Sequence, residues 1–579
     1  MAVKEKKKTK QKNSVPLVIE DDLEKDVSLT ERWIGALILL IVSLTIYVLT
    51  MFPGLPMGDS GEFMVTGIDF GVAHPPGYPI FTTLCYFAIN GIPFGTPAWR
   101  VNLLSVIFGA CFNVTVYFIV SKLGKNNAVA FLVAGWIGFS RLHWMWSIQG
   151  EIFSLNNFFC ALIMLQTINF EYAKQENVFR QGCIGALLCG LSLGNQHTSV
   201  LFIFPIALRV LFVLVVKRRS PFRDLFVCGM HGVAGLSCYL QLPISFFFFK
   251  PRVTWGHHKN IENIVRHLLR LDYGSSFKLV AGDSQSTFLT NFFVFVRDSS
   301  SELTAFVWML TLYGIVLIMN SQGKRRSTLT LFFSMLGCYL MVFCSLANIA
   351  DPQGLELGVL ERFWMQPSIV LVVMAGLSLC KLIELCNEKL PSFLTSNYLH
   401  MAIALLLVSV QIKRNYKEND ESDNFYAYEY SQTVLPHLPE NSIVLTGGDL
   451  PTNVFRYHTI AENYRTDVTV MDMQFMAAKW FKQVLGPVAF ANVTIPGDPG
   501  EYRPFKTERL QEGYYNLDMF LDVNIDQRPI FICNNVRLDE TSHEEKYLMY
   551  PFASCKRFKR ALELENENPI EVRDSQILK

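Results

Sequence analysis

The sequence is poor in charged residues: Asp, Glu, Lys and Arg make up 17% of its 579 residues, whereas 51% are hydrophobic. A soluble globular protein carries closer to a quarter charged residues. The deficit excludes an ordinary soluble protein, and the excess of apolar residues indicates a membrane protein with a substantial soluble part. The net charge of +1 favours no particular partner.

The sequence also lacks the short motifs that mark common catalytic and metal sites. It contains no phosphate-binding glycine loop, no zinc-ligand spacing and no Ser-His-Asp signature. We therefore expect no metal site. A nucleic-acid partner is not expected either, because the basic run KEKKKTKQK (4–12) has no aromatic or folded residues beside it.

Long apolar runs are what the sequence has in abundance. A spanning helix needs about 20 apolar residues, and about eleven segments approach or reach that length: 33–52, 101–120, 128–140, 153–169, 181–194, 199–216, 224–248, 304–320, 327–346, 363–383 and 398–413. These segments predict a polytopic helical membrane part, residues 33–413.

The short loops rich in Lys and Arg alternate with loops that are poor in them. By the positive-inside rule, the N-terminus is then cytosolic. Residues 1–32 are predicted to be a disordered basic tail, and residues 53–100 the first lumenal loop. An odd number of spans places residues 414–579 on the lumenal side.

The C-terminal region, 414–579, is predicted to be a soluble α/β domain. The segment NSIVLTGGDLPTNVFRYH (441–458) predicts a buried strand, a Gly-Gly-Asp turn and a helix, and TDVTVMDMQFM (466–476) predicts a second strand. The turn is interpreted as structural, because its glycine spacing does not match a dinucleotide-binding fingerprint.

Two features of this region suit a lumenal location. Asn492 begins the tripeptide NVT, an acceptor for N-glycosylation. Cys533 and Cys555 are the only cysteines beyond Cys386, and in an oxidising compartment they could form a disulfide.

The loop after the first span, MGDSGEFMVTGIDFGVAHPPGYP (57–79), holds two acids three residues apart. On a glycine-rich turn, Asp59 or Glu62 could act as a general base toward an incoming hydroxyl. The same spacing also suits a helix cap. Both interpretations stay open, and one acid could cap while the other acts.

Other polar residues lie at predicted lumenal helix ends. His74 could bind a phosphate, orient a carboxylate or bond a buried carbonyl. Arg362 could bind a phosphate through its planar donors or lie at headgroup level. The further candidates for substrate binding are Glu151, Asn195, Gln196 and His197.

Topology and composition alone allow a transporter or a membrane enzyme. A matching pair of broken helices in two halves, typical of many transporters, is not found in the sequence. The longest polar loops fall on one face of the membrane. This one-sidedness favours an enzyme working at the lumenal interface.

Five segments together resemble a known family: GDSGE…GVAHPPGYP, WSIQGEIFSLNN, LSLGNQHT, ERFWMQP and LTGGDLPTNVFRYH. They are similar, in order, to a eukaryotic endoplasmic-reticulum family of multipass protein O-mannosyltransferases acting on IPT/TIG domains of plexins and related receptors. The family belongs to the GT-C glycosyltransferase superfamily. The resemblance runs from about residue 33 to about residue 558. Its members continue into helical repeats, which this chain is expected to lack or to have in shortened form.

The resemblance implies a GT-C-like bundle in the endoplasmic-reticulum membrane, followed by the lumenal domain. It implies dolichyl phosphate mannose as donor, with no cofactor, and a Ser or Thr hydroxyl of an IPT/TIG domain as acceptor. Asp59 or Glu62 would be the base of an inverting displacement. Asp59 is favoured because its shorter side chain is held more rigidly, and Arg362 is a candidate for the donor phosphate. The alternatives are a related enzyme with another acceptor and a non-catalytic lumenal scaffold or chaperone of the same fold.

Overall fold

The computed structural model describes residues 29–217, 221–271, 287–347, 354–389, 391, 394–505, 510–533 and 540–561. Most of the predicted basic tail, residues 1–28, lies outside these ranges. Its last residues, predicted to be disordered, instead form the first turn of a helix that begins at Leu29. The reason is a tertiary contact: Arg32 is buried, and its Nε donates to the hydroxyl of Ser121 over 2.9 Å.

The first part of the chain is helical. Its helices are α1 (Leu29–Thr50), α2 (Ser60–Ile68), α3 (Pro79–Gly91), α4 (Pro97–Gly124), α5 (Asn127–Gly138), α6 (Arg141–Ser147), α7 (Ile152–Glu171), α8 (Val178–Leu193), α9 (Val200–Lys217), α10 (Pro221–Leu236), α11 (Gln241–Ile244), α12 (Ile261–Leu268), α13 (Phe288–Leu303), α14 (Ala305–Asn320), α15 (Gly323–Leu346), α16 (Gly354–Glu361), α17 (Met365–Asn387) and α18 (Asn397–Tyr416).

Within the described residues, seven helical segments are long and apolar enough to cross a membrane. They are α1, α4, α7, α15, α17, His197–Val216 and Phe222–Phe249. The bent pairs α5–α6 (70°) and α13–α14 (112°) raise the number to nine if each pair is one span. The other two predicted spans fall on α8, a shorter apolar helix, and on α18. The structure therefore supports seven to nine spans, and a count of eleven stays a prediction.

The helix α4 lies at the centre of the bundle and contacts α1, α5, α7 and α17. Thr96 begins it by accepting a hydrogen bond from the backbone of Trp99, and Pro97 occupies the first turn, where no backbone donor is needed. Gly109 lets α4 approach its neighbours, since a Cβ there would lie 2.4 Å from the hydroxyl of Ser147. This packing places the start of α4 beside the loop that follows α1.

The second part of the chain has an α/β fold. Its elements are α19 (Tyr426–Gln432), β1 (Ile443–Thr446), α20 (Asp449–Arg456), β2 (Thr469–Asp472), α21 (Met473–Met476), α22 (Phe481–Val484), α23 (Gly486–Ala489), β3 (Glu501–Tyr502), β4 (Tyr514–Tyr515), α24 (Leu517–Asn524), β5 (Ile530–Cys533), β6 (Tyr547–Phe552) and β7 (Cys555–Arg560). The predicted strand, turn and helix of 441–458 are present as β1 and α20. The second predicted strand is shorter than 466–476 and ends at Asp472.

Five of the strands form one sheet in the order β2-β1-β5-β7-β6. Strands β2, β1 and β5 are parallel, while β5–β7 and β7–β6 are antiparallel. The residues of β1 are all buried, which fits the apolar run Ile443 to Leu445. The carboxyl ends of β1 and β2 share one sheet edge, and α20 begins at that edge.

A disulfide joins Cys533 at the end of β5 to Cys555 at the start of β7. The two residues are paired in the antiparallel register. This is the pairing expected from the sequence. Asn492 lies in an exposed loop before β3, so its side chain is accessible, and its glycosylation stays a prediction.

Candidate functional site

The loop between α1 and α2 is held by one buried amide. The Nδ2 of Asn102, on α4, donates to the carbonyls of Phe52 (3.0 Å) and Gly54 (2.9 Å), and its Oδ1 accepts from the backbone of Gly150 (2.8 Å). A fully satisfied buried amide of this kind fixes the backbone around it. Asn102 therefore ties the loop that carries Asp59 to the segment that carries Glu151.

Gly58 lies between α20 of the α/β domain and the side chain of Glu151. Its φ of +81° is one that residues with a Cβ rarely adopt. Its carbonyl accepts a 3.0 Å hydrogen bond from Asn453 of α20, and a Cβ on it would lie 3.7 Å from Oε1 of Glu151. Gly58 thus lets the α/β domain approach the acid loop.

The capping interpretation of the two acids is wrong. Asp59 is at the N-cap position of α2. Its side chain makes no capping hydrogen bond to that helix, all of whose residues the structure describes. Glu62 does not complete a capping box, because both of its carboxylate oxygens bond His74 instead. The Oε1 accepts from the backbone of His74 over 2.6 Å, and Oε2 lies 2.8 Å from the ring Nδ1.

His74 orients a carboxylate, which is one of the three roles considered for it. Burial acts to lower its pKa, but the charge of Glu62 and the hydrogen bond to it outweigh burial, so the pKa of His74 is raised well above 6.5. The protonated ring donates from Nδ1 to Glu62 and from Nε2 to the hydroxyl of Tyr78, 3.2 Å away. Phe63 packs against the rings of His74 and Tyr78. Glu62 is thereby occupied in holding the turn before α3.

Asp59 is the more accessible of the two acids, with 29% of its side chain exposed against 11% for Glu62. Its Oδ2 lies 3.7 Å from Nη1 of Arg362, between α16 and α17. The guanidinium of Arg362 lies over the rings of Trp146, Phe153 and Phe363, at 5.2–5.9 Å from their centroids. These cation–π contacts hold the arginine beside Asp59. The structure therefore brings the predicted base and the predicted phosphate ligand together.

Glu151 lies behind this pair, immediately before α7. It is 2% exposed, and its Oε1 accepts from the hydroxyl of Ser60 over 3.4 Å. Its Oε2 has no hydrogen-bond partner within the described part of the chain. Burial, and next the negative charge of Asp59, raise the pKa of Glu151 to about 8. At neutral pH this side chain is mostly protonated, so it does not add to the negative charge of the site.

The predicted Asn195, Gln196 and His197 lie at the end of α8, and they are divided between two environments. The Nδ2 of Asn195 donates to the carbonyl of Ile152, next to Glu151. Gln196 accepts from Gln366 over 3.4 Å, and Nε2 of His197 lies 2.8 Å from the hydroxyl of Tyr239. Asn195 thus supports the Glu151 segment, whereas Gln196 and His197 line a neighbouring cavity.

That cavity has a volume of about 620 Å³ and mostly apolar walls. Its lining includes Tyr78, His197, Arg270, Leu346 and Phe363. Tyr78 connects it to His74, and Phe363 follows Arg362 in the chain. The cavity therefore begins beside the acid loop and continues between membrane helices.

The α/β domain contributes residues that were predicted only as parts of its strands, turn and helix. Besides the bond from Asn453 to Gly58, the hydroxyl of Tyr457 accepts from the backbone of Ala98 at the start of α4, over 3.1 Å. The ring of Phe475 packs on Trp255, with centroids 4.6 Å apart. The sequence did contain a signal that this domain takes part in the site. Asp449 follows Gly-Gly at the carboxyl end of a predicted strand, and ligands usually bind at that edge of an α/β sheet.

Comparisons with known proteins identify relatives of this chain. The family model described as "Protein O-mannosyl-transferase TMEM260 N-terminal domain" matches residues 59–220. The mouse protein O-mannosyl-transferase TMEM260 is 34% identical over 513 residues, which cover 88% of this chain and 72% of the mouse protein. The Dictyostelium discoideum protein of the same name is 32% identical over 548 residues, 90% of this chain and 66% of that protein.

Solved structures match more weakly. The Saccharomyces cerevisiae protein O-mannosyltransferase Pmt1–Pmt2 complex bound to the sugar donor has a TM-score of 0.32 at 14% identity, over 38% of this chain and 34% of that one. The Archaeoglobus fulgidus oligosaccharyltransferase AglB has a TM-score of 0.44 at 13% identity, over 80% of this chain and 69% of that one.

The apolar spans, the acid loop at their end and the sequence relatives together define a multipass membrane glycosyltransferase. The sequence identity extends across most of this chain and nearly three quarters of the mouse protein. The chain belongs to the protein O-mannosyl-transferase TMEM260 family.

Proposed function

We propose that this enzyme transfers mannose from dolichyl phosphate mannose to Ser or Thr hydroxyls of IPT/TIG domains in receptors of the secretory pathway. The observation that carries the proposal is the pairing of Asp59 with Arg362 at 3.7 Å. A general base and a cation for the leaving phosphate are the two groups that such a transfer needs.

In the proposed reaction, the acceptor oxygen attacks the anomeric carbon of mannose from the face opposite the phosphate. The bond from that carbon to the phosphate oxygen breaks, and dolichyl phosphate leaves with the bonding electron pair. Asp59 takes the hydroxyl proton, and Arg362 stabilises the charge on the departing phosphate. The configuration at the anomeric carbon is inverted, and no metal or organic cofactor takes part.

The cavity of about 620 Å³ supports a lipid-linked donor. Its apolar walls suit a polyprenyl chain, and its position next to Tyr78 and Phe363 would bring the phosphate close to Arg362. His197, bonded to Tyr239, contributes a polar contact within the cavity. The predicted roles of Gln196 and His197 are therefore assigned to the donor side of the site.

We further propose that the protein resides in the endoplasmic-reticulum membrane, with its N-terminus cytosolic and its α/β domain lumenal. The alternation of basic loops supports this orientation. Protease treatment of sealed microsomes provides the test: the α/β domain should resist digestion until detergent is added. Digestion without detergent would contradict the proposed orientation.

The reaction is tested with purified full-length protein, dolichyl phosphate mannose and a folded IPT domain, followed by intact-mass analysis of the domain. We expect addition of hexose that depends on the donor. Transfer to a lipid-linked glycan but not to the IPT domain would identify a different acceptor. Binding of the IPT domain with no transfer to any acceptor would indicate a scaffold.

A further inference from the structure

The helix α20 packs directly on the acid loop. A Cβ on Gly61 of α2 would lie only 2.7 Å from the Cβ of Asn453, and Asn453 donates to the carbonyl of Gly58. The first residue of α20 is Asp449, after Gly448 at a φ of +86°. The Gly447–Asp449 turn therefore approaches the same loop that holds Asp59.

The turn also occupies a special position in the sheet. Strand β1 lies between β2 and β5, so the chain leaves β1 toward β2 on one side and later passes to β5 on the other. Such a reversal of direction opens a crevice at the carboxyl ends of parallel strands, where α/β domains bind ligands. The Gly447–Asp449 turn is the segment that follows β1 at this crevice.

The two acids at this edge of the sheet differ in their contacts. Asp472 is buried, lies 3.8 Å from Arg456 and caps α21 by accepting from the backbone of Gln474. Asp449 reaches solvent, and its carboxylate makes no hydrogen bond or ion pair with any residue in the described ranges. Asp472 is thus used by the fold, whereas Asp449 is available to a ligand.

The surroundings of Asp449 connect it to the reacting groups. Although the residue reaches solvent, desolvation of its carboxyl, and then the negative charges of Asp59 and Glu62, raise its pKa to about 6. At neutral pH the carboxyl group of Asp449 is therefore mostly ionised. A cavity of about 300 Å³ adjoins it, lined by Tyr430, Gly448, Asp449, Leu450, Pro451 and Ser554. This cavity is large enough for a short segment of polypeptide.

We propose that the Gly447–Asp449 turn forms the acceptor-binding wall of the catalytic centre, and that Asp449 accepts a hydrogen bond from the acceptor polypeptide beside its reacting hydroxyl. The proposal rests on the proposed function and adds the acceptor side to it. The membrane part then holds the donor and the base, while the α/β domain selects and positions the protein substrate. Asp449 is a binding residue and takes no proton in the reaction.

The test compares Asp449→Asn and Asp449→Ala with wild type in the full-length protein. A hydrogen bond to a charged group typically accounts for about tenfold to hundredfold in affinity. We expect KM for a folded IPT domain to rise about tenfold in Asp449→Asn and further in Asp449→Ala. The KM for dolichyl phosphate mannose and kcat at saturating acceptor should stay near the wild-type values. Glu545→Gln, which removes an exposed carboxylate elsewhere on the same domain, is the matched control.

A second measurement separates this proposal from the reaction itself. Binding of the IPT domain to immobilised enzyme without donor should weaken in both Asp449 variants but not in the control. If wild type transfers mannose but the Asp449 variants show the same acceptor KM and the same binding as wild type, the role of Asp449 is overturned. A loss confined to kcat would also overturn it. If wild type binds the IPT domain in a manner that depends on Asp449 but transfers no mannose, the proposed reaction is contradicted, whereas the proposed binding role of the Gly447–Asp449 turn is supported.

Discussion

The ring of His74 lies 2.8 Å from the Oε2 of Glu62, and this contact separates the roles of two acids three residues apart. Both oxygens of Glu62 are bonded to His74. The carboxylate of Asp59 is turned instead toward Arg362. A carboxylate that already accepts two strong hydrogen bonds is a poor proton acceptor, so we propose Asp59, rather than Glu62, as the base.

Substitution of the proposed base should abolish most of the turnover. Asp59→Asn keeps the shape of the side chain but removes its ability to take a proton. We expect kcat for mannose transfer to fall by about two to four orders of magnitude, with little change in donor binding. Glu62→Gln should cost less. A larger loss in Glu62→Gln than in Asp59→Asn would reverse the assignment.

The Glu62–His74 pair should make stability depend on pH. A His whose pKa is raised in the folded state contributes stability that is complete below its unfolded pKa, about 6.5, and is lost as pH rises through the folded pKa. Glu62→Gln removes the largest influence that raises the pKa of His74, so the decline above about pH 6.5 should become shallower. The pH dependence is measured by thermal unfolding of the detergent-solubilised protein from pH 5 to 9, at intervals of about one pH unit. An unchanged slope would show that His74 is not protonated in the folded state.

Glu151 should contribute a separate pH dependence. Its pKa of about 8 is raised in the folded state, so the unfolded chain loses this proton first as pH rises. Stability from this group is present below the unfolded pKa and declines toward pH 8. Glu151→Gln, which is neutral at every pH, should flatten the unfolding profile between about pH 4.5 and 8. A profile identical to wild type would place the Glu151 pKa near its ordinary value.

The contact between α2 and α20 can be tested by adding one methyl group. In Gly61→Ala the new Cβ meets the Cβ of Asn453 at 2.7 Å, so the two helices must separate. We expect about 1–3 kcal/mol of lost stability, a large loss of transfer and faster proteolysis between the two parts. Gly54→Ala is the matched control, since an added Cβ there meets nothing within 4 Å. Equal behaviour of the two variants would contradict the close packing of α2 on α20.

Loss of the Cys533–Cys555 disulfide should destabilise the α/β domain. The two cysteines are 22 residues apart, and closing a loop of this length is worth about 3 kcal/mol in the chain-entropy model. Cys533→Ser should therefore lower the unfolding temperature of the domain and leave Cys555 as a free thiol. Labelling of both thiols in native, unreduced wild-type protein would contradict the pairing.

The apolar runs predicted the helices of the membrane part well, since each of the eleven predicted segments falls on a helix. A long apolar segment in a bilayer forms a helix, because its backbone N–H and C=O groups must hydrogen-bond to one another. The helix α13 was not predicted, because Phe288–Leu303 mixes polar and apolar residues and lies outside the predicted spans. Its sharp bend against α14 depends on tertiary packing, which no local pattern contains.

The site was only partly predictable, for a related reason. The acid loop and Arg362 were identified from residue types at helix ends, and the structure brings them together. The capping interpretation failed because His74, 12 residues after Glu62, provides a charged partner that a backbone amide cannot match. Asp449 was overlooked because its proximity to Asp59 exists only after the α/β domain folds onto the membrane part.

The bond from Asn453 to Gly58 joins residues 395 positions apart. Ribosomes add about 5–20 residues per second, so about 20 to 80 s separate the synthesis of its two ends. During that interval the membrane helices can insert while the acid loop still lacks the helix that covers it. We therefore expect the nascent enzyme to be inert toward polypeptides being translocated nearby, and to become competent only as its own synthesis ends.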